Sequence, residues 1–286
     1  MDSSNQPIWI TGARGLIGSY LVQTAANFAP GQNVVGLTRE QVDLTDYPAV
    51  RRLFEEQKPK LVIHCAALSK SPACQANPGL AYKLNVEVTA QLAELAAEIL
   101  FILFSTDLVF DGSQGNYDES AAINPLNIYA ETKAAAEKIV LANPRHTVVR
   151  TSLNSGTSPT GDRSFAEEMR RAWQEGKTLN LFTDEFRSPI PAIVTVRAVW
   201  ELAAQDKPGL YHLAGSEKLS RYRIGELLAA RWPQLNPKIH PSSLKDYQGA
   251  PRSPDTSLNC AKLQNLLGFP LPAFSKWLEE HGGETF

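Results

Sequence analysis

The sequence predicts an α/β protein: a doubly wound parallel sheet followed by a smaller C-terminal α/β lobe. Three observations predict it. Short apolar runs alternate with helical patterns from Ile8 to Arg150. A glycine-rich turn joins the first run to the first helix. From Ser155 onward the alternation breaks down into loops and short elements before one more helix and strand resume it. Strictly alternating strands and helices favour parallel pairing, because each crossover helix must cover a sheet face.

The elements follow in order. Ile8, Trp9 and Ile10 form an apolar run of the kind a buried parallel strand requires. Gly12, Gly15 and Gly18 come next at a spacing of three, and Leu16, Ile17, Tyr20, Leu21 and Val22 then recur with helical periodicity. Residues 34–37 read as a second strand, 48–57 as a helix, 61–65 as a third strand, and 82–99 as one long helix rich in alanine and leucine. Residues 100–104 form the fourth strand, 128–141 a helix and 147–150 a fifth strand. In the remainder, 155–164 reads as a polar loop, plausible as a lid, with helices over 165–175, 194–204 and 222–232. A last strand covers 209–214, and a closing helix around Trp277 gives way to a frayed end from Glu279. The nucleotide-binding unit is expected over 1–154 with about 190–215, and the substrate lobe over 155–189 with 216–286.

Composition narrows the function. The chain has 286 residues and a formal net charge of −2, so nothing electrostatic recommends nucleic acid or an anionic membrane as a partner. No apolar run reaches membrane-spanning length. The opening Met-Asp-Ser-Ser-Asn-Gln lacks the basic segment and apolar stretch of a signal peptide. Cys65, Cys74 and Cys260 are odd in number and none form a C-x-x-C pair, so a cytoplasmic protein with reduced thiols and no metal site is expected.

A strand, a glycine turn and a helix start together form a cradle for phosphate. Bare backbone lets a pyrophosphate approach, and the free N–H groups of the helix start face it. Gly12, Arg14, Gly15, Leu16, Ile17 and Gly18 are therefore the expected cofactor contacts, with a tight turn of purely structural purpose as the alternative. At the end of the second strand an acid would suit the 2′-hydroxyl of NAD. Arg39 stands there instead, so NADPH is expected, with Arg14 assisting and NADH as the alternative; a solvated surface charge is the bland reading of Arg39. Asp43 and Leu44, in Val-Asp-Leu-Thr-Asp, resemble the adenine-contact segment of the extended short-chain dehydrogenase/reductases, although a helix cap before Tyr47 accounts for them nearly as well. Ala66 and Ala67 leave room for a flat cofactor face. His64 reads as a packed strand residue, and the stretch Ser69–Gly79 as a loop over the site.

The sharpest motif is Ser105-Thr106-Asp107-Leu108-Val109-Phe110-Asp111-Gly112. A hydroxyl and a carboxylate follow a strand end, and 23 residues past Thr106 comes Tyr129-Ala130-Glu131-Thr132-Lys133. Tyr129 and Lys133 share one helix face. An ammonium there would favour the phenolate and lower the tyrosine pKa, letting Tyr129 exchange a proton near neutral pH.

These motifs resemble the extended short-chain dehydrogenase/reductases, and the Ser-Thr-Asp-x-Val-Phe-Asp-Gly string resembles the dTDP-4-dehydrorhamnose reductase family within them. The resemblance implies a Rossmann fold and NADPH-dependent reduction of a nucleotide-linked 4-keto sugar. It implies Thr106, Tyr129 and Lys133 as the catalytic trio, Asn85 as an organiser of the cofactor site, and Asp107 and Val109 beside the sugar. Arg187 and Arg252, in segments similar to the family's, become candidates for the diphosphate, with an ordinary ion pair from Arg187 to Asp184 or Glu185 as the alternative. Leu108 replaces the glutamate that sugar-nucleotide dehydratases carry, which disfavours dehydration. Leu153-Asn154 replaces a tryptophan the family tends to have near the sugar. A sugar epimerase or another carbonyl reductase on the same scaffold stays open, as does a regulatory subunit that binds NADP without turnover. Superfamily members often dimerise through two helices, which here would be 82–99 and 128–141.

Overall fold

A computed structural model describes residues 6–282. The first five residues of the opening hexapeptide, and the last four of the expected frayed end, lie outside the described residues.

Six parallel strands form the central sheet. They are β1 (Ile8–Thr11), β2 (Val34–Leu37), β3 (Leu61–His64), β4 (Leu100–Thr106), β5 (Thr147–Thr151) and a last strand, Gly209–Leu213. Their spatial order is Gly209–Leu213, β5, β4, β3, β1, β2. The chain moves outward from β1 to β2 and then crosses back to β3. The crevice between the carboxyl ends of β1 and β3 is therefore the topological switch point, where ligands of such sheets bind.

Side chains alternate across the sheet and build two cores. Ile8, Ile10, Ile63, Ile102 and Val149 face helix α1 (Leu16–Phe28) and the helix Ala192–Ala204. Trp9, Val62, Phe101, Leu103 and Val148 face the other way, onto α5 (Val88–Leu95) and α6 (Ile128–Leu141). Every strand residue of β1 and β3 is buried, as two covered faces require. A third apolar cluster, with Phe165, Trp173, Leu228, Phe274 and Trp277, underlies the C-terminal segments. Two small sheets belong there: Thr178–Phe182 pairs with Lys238–Ser242, and Phe186–Arg187 with Leu219–Ser220.

Most predicted elements stand within two residues of their expected limits, and the differences fall at the site. Strand β4 runs through Ser105 and Thr106, so the hydroxyl of Thr106 sits on the last residue of a rigid element. The long helix expected over 82–99 is instead built in pieces. The presumed loop 69–79 contains α3 (Ser71–Ala76), after which α4 (Pro78–Tyr82) leads into a wide π turn, Lys83–Glu87, and then into α5. Pro72 and Pro78 punctuate this stretch, each near a helix start where a missing N–H is harmless. The π turn holds Asn85, and such turns inside helices recur at functional sites. The segment 155–164 is no loose lid. Glu167 collects the backbone N–H groups of Ser158, Arg163 and Ser164 and the Ser158 hydroxyl, wrapping the segment onto the N-terminus of the helix Phe165–Gln174.

Candidate active site

The glycine turn explains its own composition. Gly12 has φ +67°, and a Cβ there would lie 2.8 Å from the Ala66 nitrogen just past β3. Only glycine permits both that conformation and that approach. Gly15 caps α1, and a Cβ on Gly18 would run into the carbonyl of Gly12, so α1 packs directly on the turn. Thr11 at the end of β1 ties the two strands together: its hydroxyl accepts from the N–H of Cys65 and of Ala66 and bonds the His64 ring at 2.7 Å. His64 meets Thr89 on its other nitrogen, and burial pushes its pKa down to about 3, so it is a neutral structural link.

A crevice of about 1080 Å³ opens over this turn. Gly12, Arg14, Gly15, Leu16, Ile17, Gly18, Arg39, Asp43, Leu44, Ala66 and Ala67 line one side, and Thr106, Asp107, Tyr129, Arg187 and Arg252 line the rest. Arg39 is 88% exposed at the end of β2, with one nitrogen 3.4 Å from Asp43, while Arg14 pairs with Glu40. Asp43 accepts from the backbone and hydroxyl of Thr45, which hold its carboxyl below the usual range. The shape and donors fit a dinucleotide: a glycine cradle that any Cβ would fill, a helix start, and two cations at the distal end.

Tyr129 enters from the first turn of α6. Asn127 caps that helix through the Ala130 N–H at 3.1 Å, which fixes the angle at which Tyr129 meets the crevice. Thr106 lies opposite, its oxygen accepting from Leu108 N–H and donating to Asp107 at 3.2 Å. Lys133, one turn beyond Tyr129, is 2% exposed. Among the described residues, no hydrogen bond or ion pair engages its ammonium. Burial lowers its pKa to about 8, although Glu137 works against the fall. An unpartnered buried ammonium beside a dinucleotide crevice suits the hydroxyls of a ribose.

Several expectations need correction. Lys133 does not lower the Tyr129 pKa here. Burial raises it, the Thr106 hydroxyl offsets part of the rise, and the Asp107 charge adds to it. Val109 is fully buried with Phe110, Tyr117 and Leu258, so its side chain meets the core and not a sugar. Asn85 is also fully buried. It holds both polar groups of Leu68 and donates to Thr132, whose hydroxyl donates to the Tyr129 carbonyl. It therefore holds α6 from behind and offers no side-chain surface to a cofactor. Asp111 and Gly112, at the end of the motif, are structural. Asp111 accepts from Ser113, Tyr117 and Asn124, and Gly112 lets Pro254 and Asp255 approach where a side chain would collide.

Another part of the crevice wall is a charge cluster: Arg187 and Arg252 stand in it as expected, Arg187 pairs with Glu185 as the alternative had it, and only Arg221 carries no signal in the sequence. Glu185, 1% exposed, takes Arg252 through two bonds of 2.7 and 2.9 Å and Arg187 at 3.0 Å. Arg187 also donates to the carbonyls of Phe186 and Ser253 and lies 3.8 Å from Asp107. Asp107 further accepts from Ser152 and Thr256, yet burial raises its pKa. Arg221 completes the cluster. No motif marks it; it arrives because the pairing of Leu219–Ser220 with Phe186–Arg187 brings Arg221 N–H to the Glu185 carbonyl at 2.8 Å. Glu137 of α6 and Arg150 of β5 form a second buried pair at 2.7 Å, joined by Ser105.

Comparison with known proteins agrees with this architecture. The sequence profile of a family described as "RmlD substrate binding domain" matches residues 6–283. Methionine adenosyltransferase 2 subunit beta of Rattus norvegicus is 30% identical over 275 residues, covering 91% of this chain and 82% of that protein. The probable low-salt glycan biosynthesis reductase Agl14 of Haloferax volcanii is 33% identical over 236 residues, 76% of this chain and 77% of its own. Among solved structures, dTDP-4-dehydrorhamnose reductase from Bacillus anthracis, in complex with NADP, superposes with a TM-score of 0.89. At 24% identity it covers 98% of this chain and all of its own, and so shares the fold.

Proposed function

The chain belongs to the RmlD substrate binding domain family, and from that premise we propose that it binds NADPH and reduces the 4-keto group of a nucleotide-linked sugar. One observation carries the reading. The Thr106 and Tyr129 side chains and the glycine turn line a single crevice, with the Lys133 ammonium buried one helical turn behind Tyr129.

NADPH, when bound, supplies the hydride that reduces the carbonyl carbon. Gly12, Gly15 and Gly18 receive its diphosphate, and Arg39 with Arg14 receives the 2′-phosphate, exchanging their carboxylate partners for phosphate oxygens. Tyr129 gives its hydroxyl proton to the oxygen of the former carbonyl as negative charge develops there. Thr106 turns its hydroxyl from Asp107 toward the same oxygen and stabilises that charge. The Lys133 ammonium holds the ribose hydroxyls beside Tyr129, and solvent returns the proton that Tyr129 gave up. Leu108 cannot transfer a proton, which supports plain reduction over elimination of water.

A second reading is favoured by the relatives named as a subunit of methionine adenosyltransferase: a chain that binds NADP and does not turn over. Absorbance at the NADPH band separates the two. Purified protein is mixed with NADPH and a panel of dTDP-, UDP- and GDP-linked 4-keto sugars. Oxidation with at least one of them is expected. Tight NADPH binding with no oxidation across the panel refutes the reductase and supports the subunit.

A further inference from the structure

We infer that Arg221, rather than Arg187 or Arg252, is the guanidinium that takes the diphosphate of the incoming nucleotide, while the other two arginines form its scaffold. This rests on the reading of the crevice as a nucleotide-sugar site and assigns its anion ligand.

Three arginines border one region of the crevice, and their donors are unequally committed. Arg252 is held by Glu185 through its Nε and one terminal nitrogen. Arg187 is held by Glu185 and by two backbone carbonyls, with Asp107 nearby. Both are locked by contacts the protein itself supplies. Arg221 is different. Its side chain also lines the crevice, yet its Nη1 is buried away from water and has no hydrogen-bond partner. Its guanidinium carbon lies 5.7 Å from the Phe165 ring centre, an apolar neighbour that offers no acceptor. The carboxylates within reach are already engaged.

An ionised donor held dry and unpaired is unfavourable unless something else completes it. A planar guanidinium matches two oxygens of a phosphate. Arg187, Arg221 and Arg252 face the carboxylates Glu185, Asp107 and Glu168, so it is the unpaired Arg221 donor, and not a net surplus of charge, that calls for an anion here. Arg221 belongs to the Glu185 cluster and not to the glycine turn, which leaves the cradle to the cofactor's own diphosphate.

The test uses inorganic pyrophosphate and dTDP as probes, with thymidine and NADPH as controls. Affinities are measured by calorimetry on the full chain and on Arg221→Gln and Arg221→Lys. Arg221→Gln is expected to weaken pyrophosphate and dTDP by about 10- to 100-fold, the range of one charge-assisted contact. Thymidine and NADPH affinities stay unchanged, and Arg221→Lys recovers part of the loss. The ligand-free Arg221→Gln protein loses only the contact with the Phe165 ring and the attraction to Glu185, so it keeps a cooperative melting transition. Unchanged pyrophosphate affinity in Arg221→Gln overturns the assignment, as does a parent protein that binds neither probe. An Arg221→Gln protein whose NADPH affinity falls as far as its pyrophosphate affinity also overturns it, since Arg221 would then be a structural group. Arg221-dependent pyrophosphate binding without oxidation of NADPH by any 4-keto sugar nucleotide would keep the assignment and refute the reductase instead.

Discussion

Replacing Lys133 by methionine should make this protein more stable while disabling it. The ammonium ordinarily titrates at 10.5 and here at about 8, chiefly because it is buried. At 1.36 kcal/mol per pH unit, keeping it charged in the fold costs about 3 kcal/mol. Methionine has a similar length and no charge, so it removes that cost without opening a cavity. Glu137 is not stranded by the change, since Arg150 and Ser105 already bond both of its oxygens. Below pH 8 the folded and unfolded chains both carry the Lys133 proton, and the full cost is present. Between pH 8 and 10.5 the folded chain has released the proton and the unfolded chain has not, so the parent gains stability as pH rises. Urea denaturation at pH 7 should show Lys133→Met ahead of the parent by about 3 kcal/mol. The advantage should shrink steadily toward pH 10. NADPH-dependent turnover should be lost in the same variant. A variant less stable than the parent at pH 7, or an advantage indifferent to pH, would refute the view of Lys133 as an unpaired charge held for function.

Tyr129→Phe should lower turnover by about two to four orders of magnitude, the usual weight of a general acid, with NADPH binding by fluorescence titration unchanged; unaltered turnover removes Tyr129 from the mechanism. Arg39→Asp should shift the ratio of NADPH to NADH affinity toward NADH by about tenfold or more, and an unchanged ratio denies Arg39 the 2′-phosphate. Gly12→Ala forces a side chain into a left-handed conformation and against Ala66, so it should lower stability by at least about 1 kcal/mol and weaken NADPH; a neutral result in calorimetry would mean that the turn yields. Glu137→Gln leaves Arg150 charged and underpaired in the core, which should cost about 3 kcal/mol and depress the melting temperature by about 6 to 12 °C; a melting point within two degrees of the parent would contradict this.

What could be read in the chain, and what could not, divides by distance along it. The glycine turn, β4 with its terminal hydroxyl, and the pair Tyr129 and Lys133 are short-range patterns, and periodicity places them on their elements. Apolar alternation likewise foretells which faces of the sheet are covered. The direction of the Tyr129 shift was not legible, because it depends on how much protein encloses the ring. Val109 belongs to the same string as Asp107, but two residues of tight turn send one side chain to the crevice and the other into the core. The pair of Arg187 with Glu185 was foreseen as an alternative, but Arg221 was invisible for a plainer reason. It meets Glu185 only because Leu219–Ser220 pairs with Phe186–Arg187, a contact that no local pattern encodes.

The wide turn at Lys83–Glu87 has a consequence for how this region can change over generations. Each residue of an ordinary helix turns its successor by about 100°, so losing one residue there would swing Asn85 off Thr132 and loosen the support under Tyr129. Point replacements on the outer surface of this stretch should drift freely among descendants. Its length should not, and a deletion of one residue would be purged even though no side chain in contact with a reacting atom had been touched.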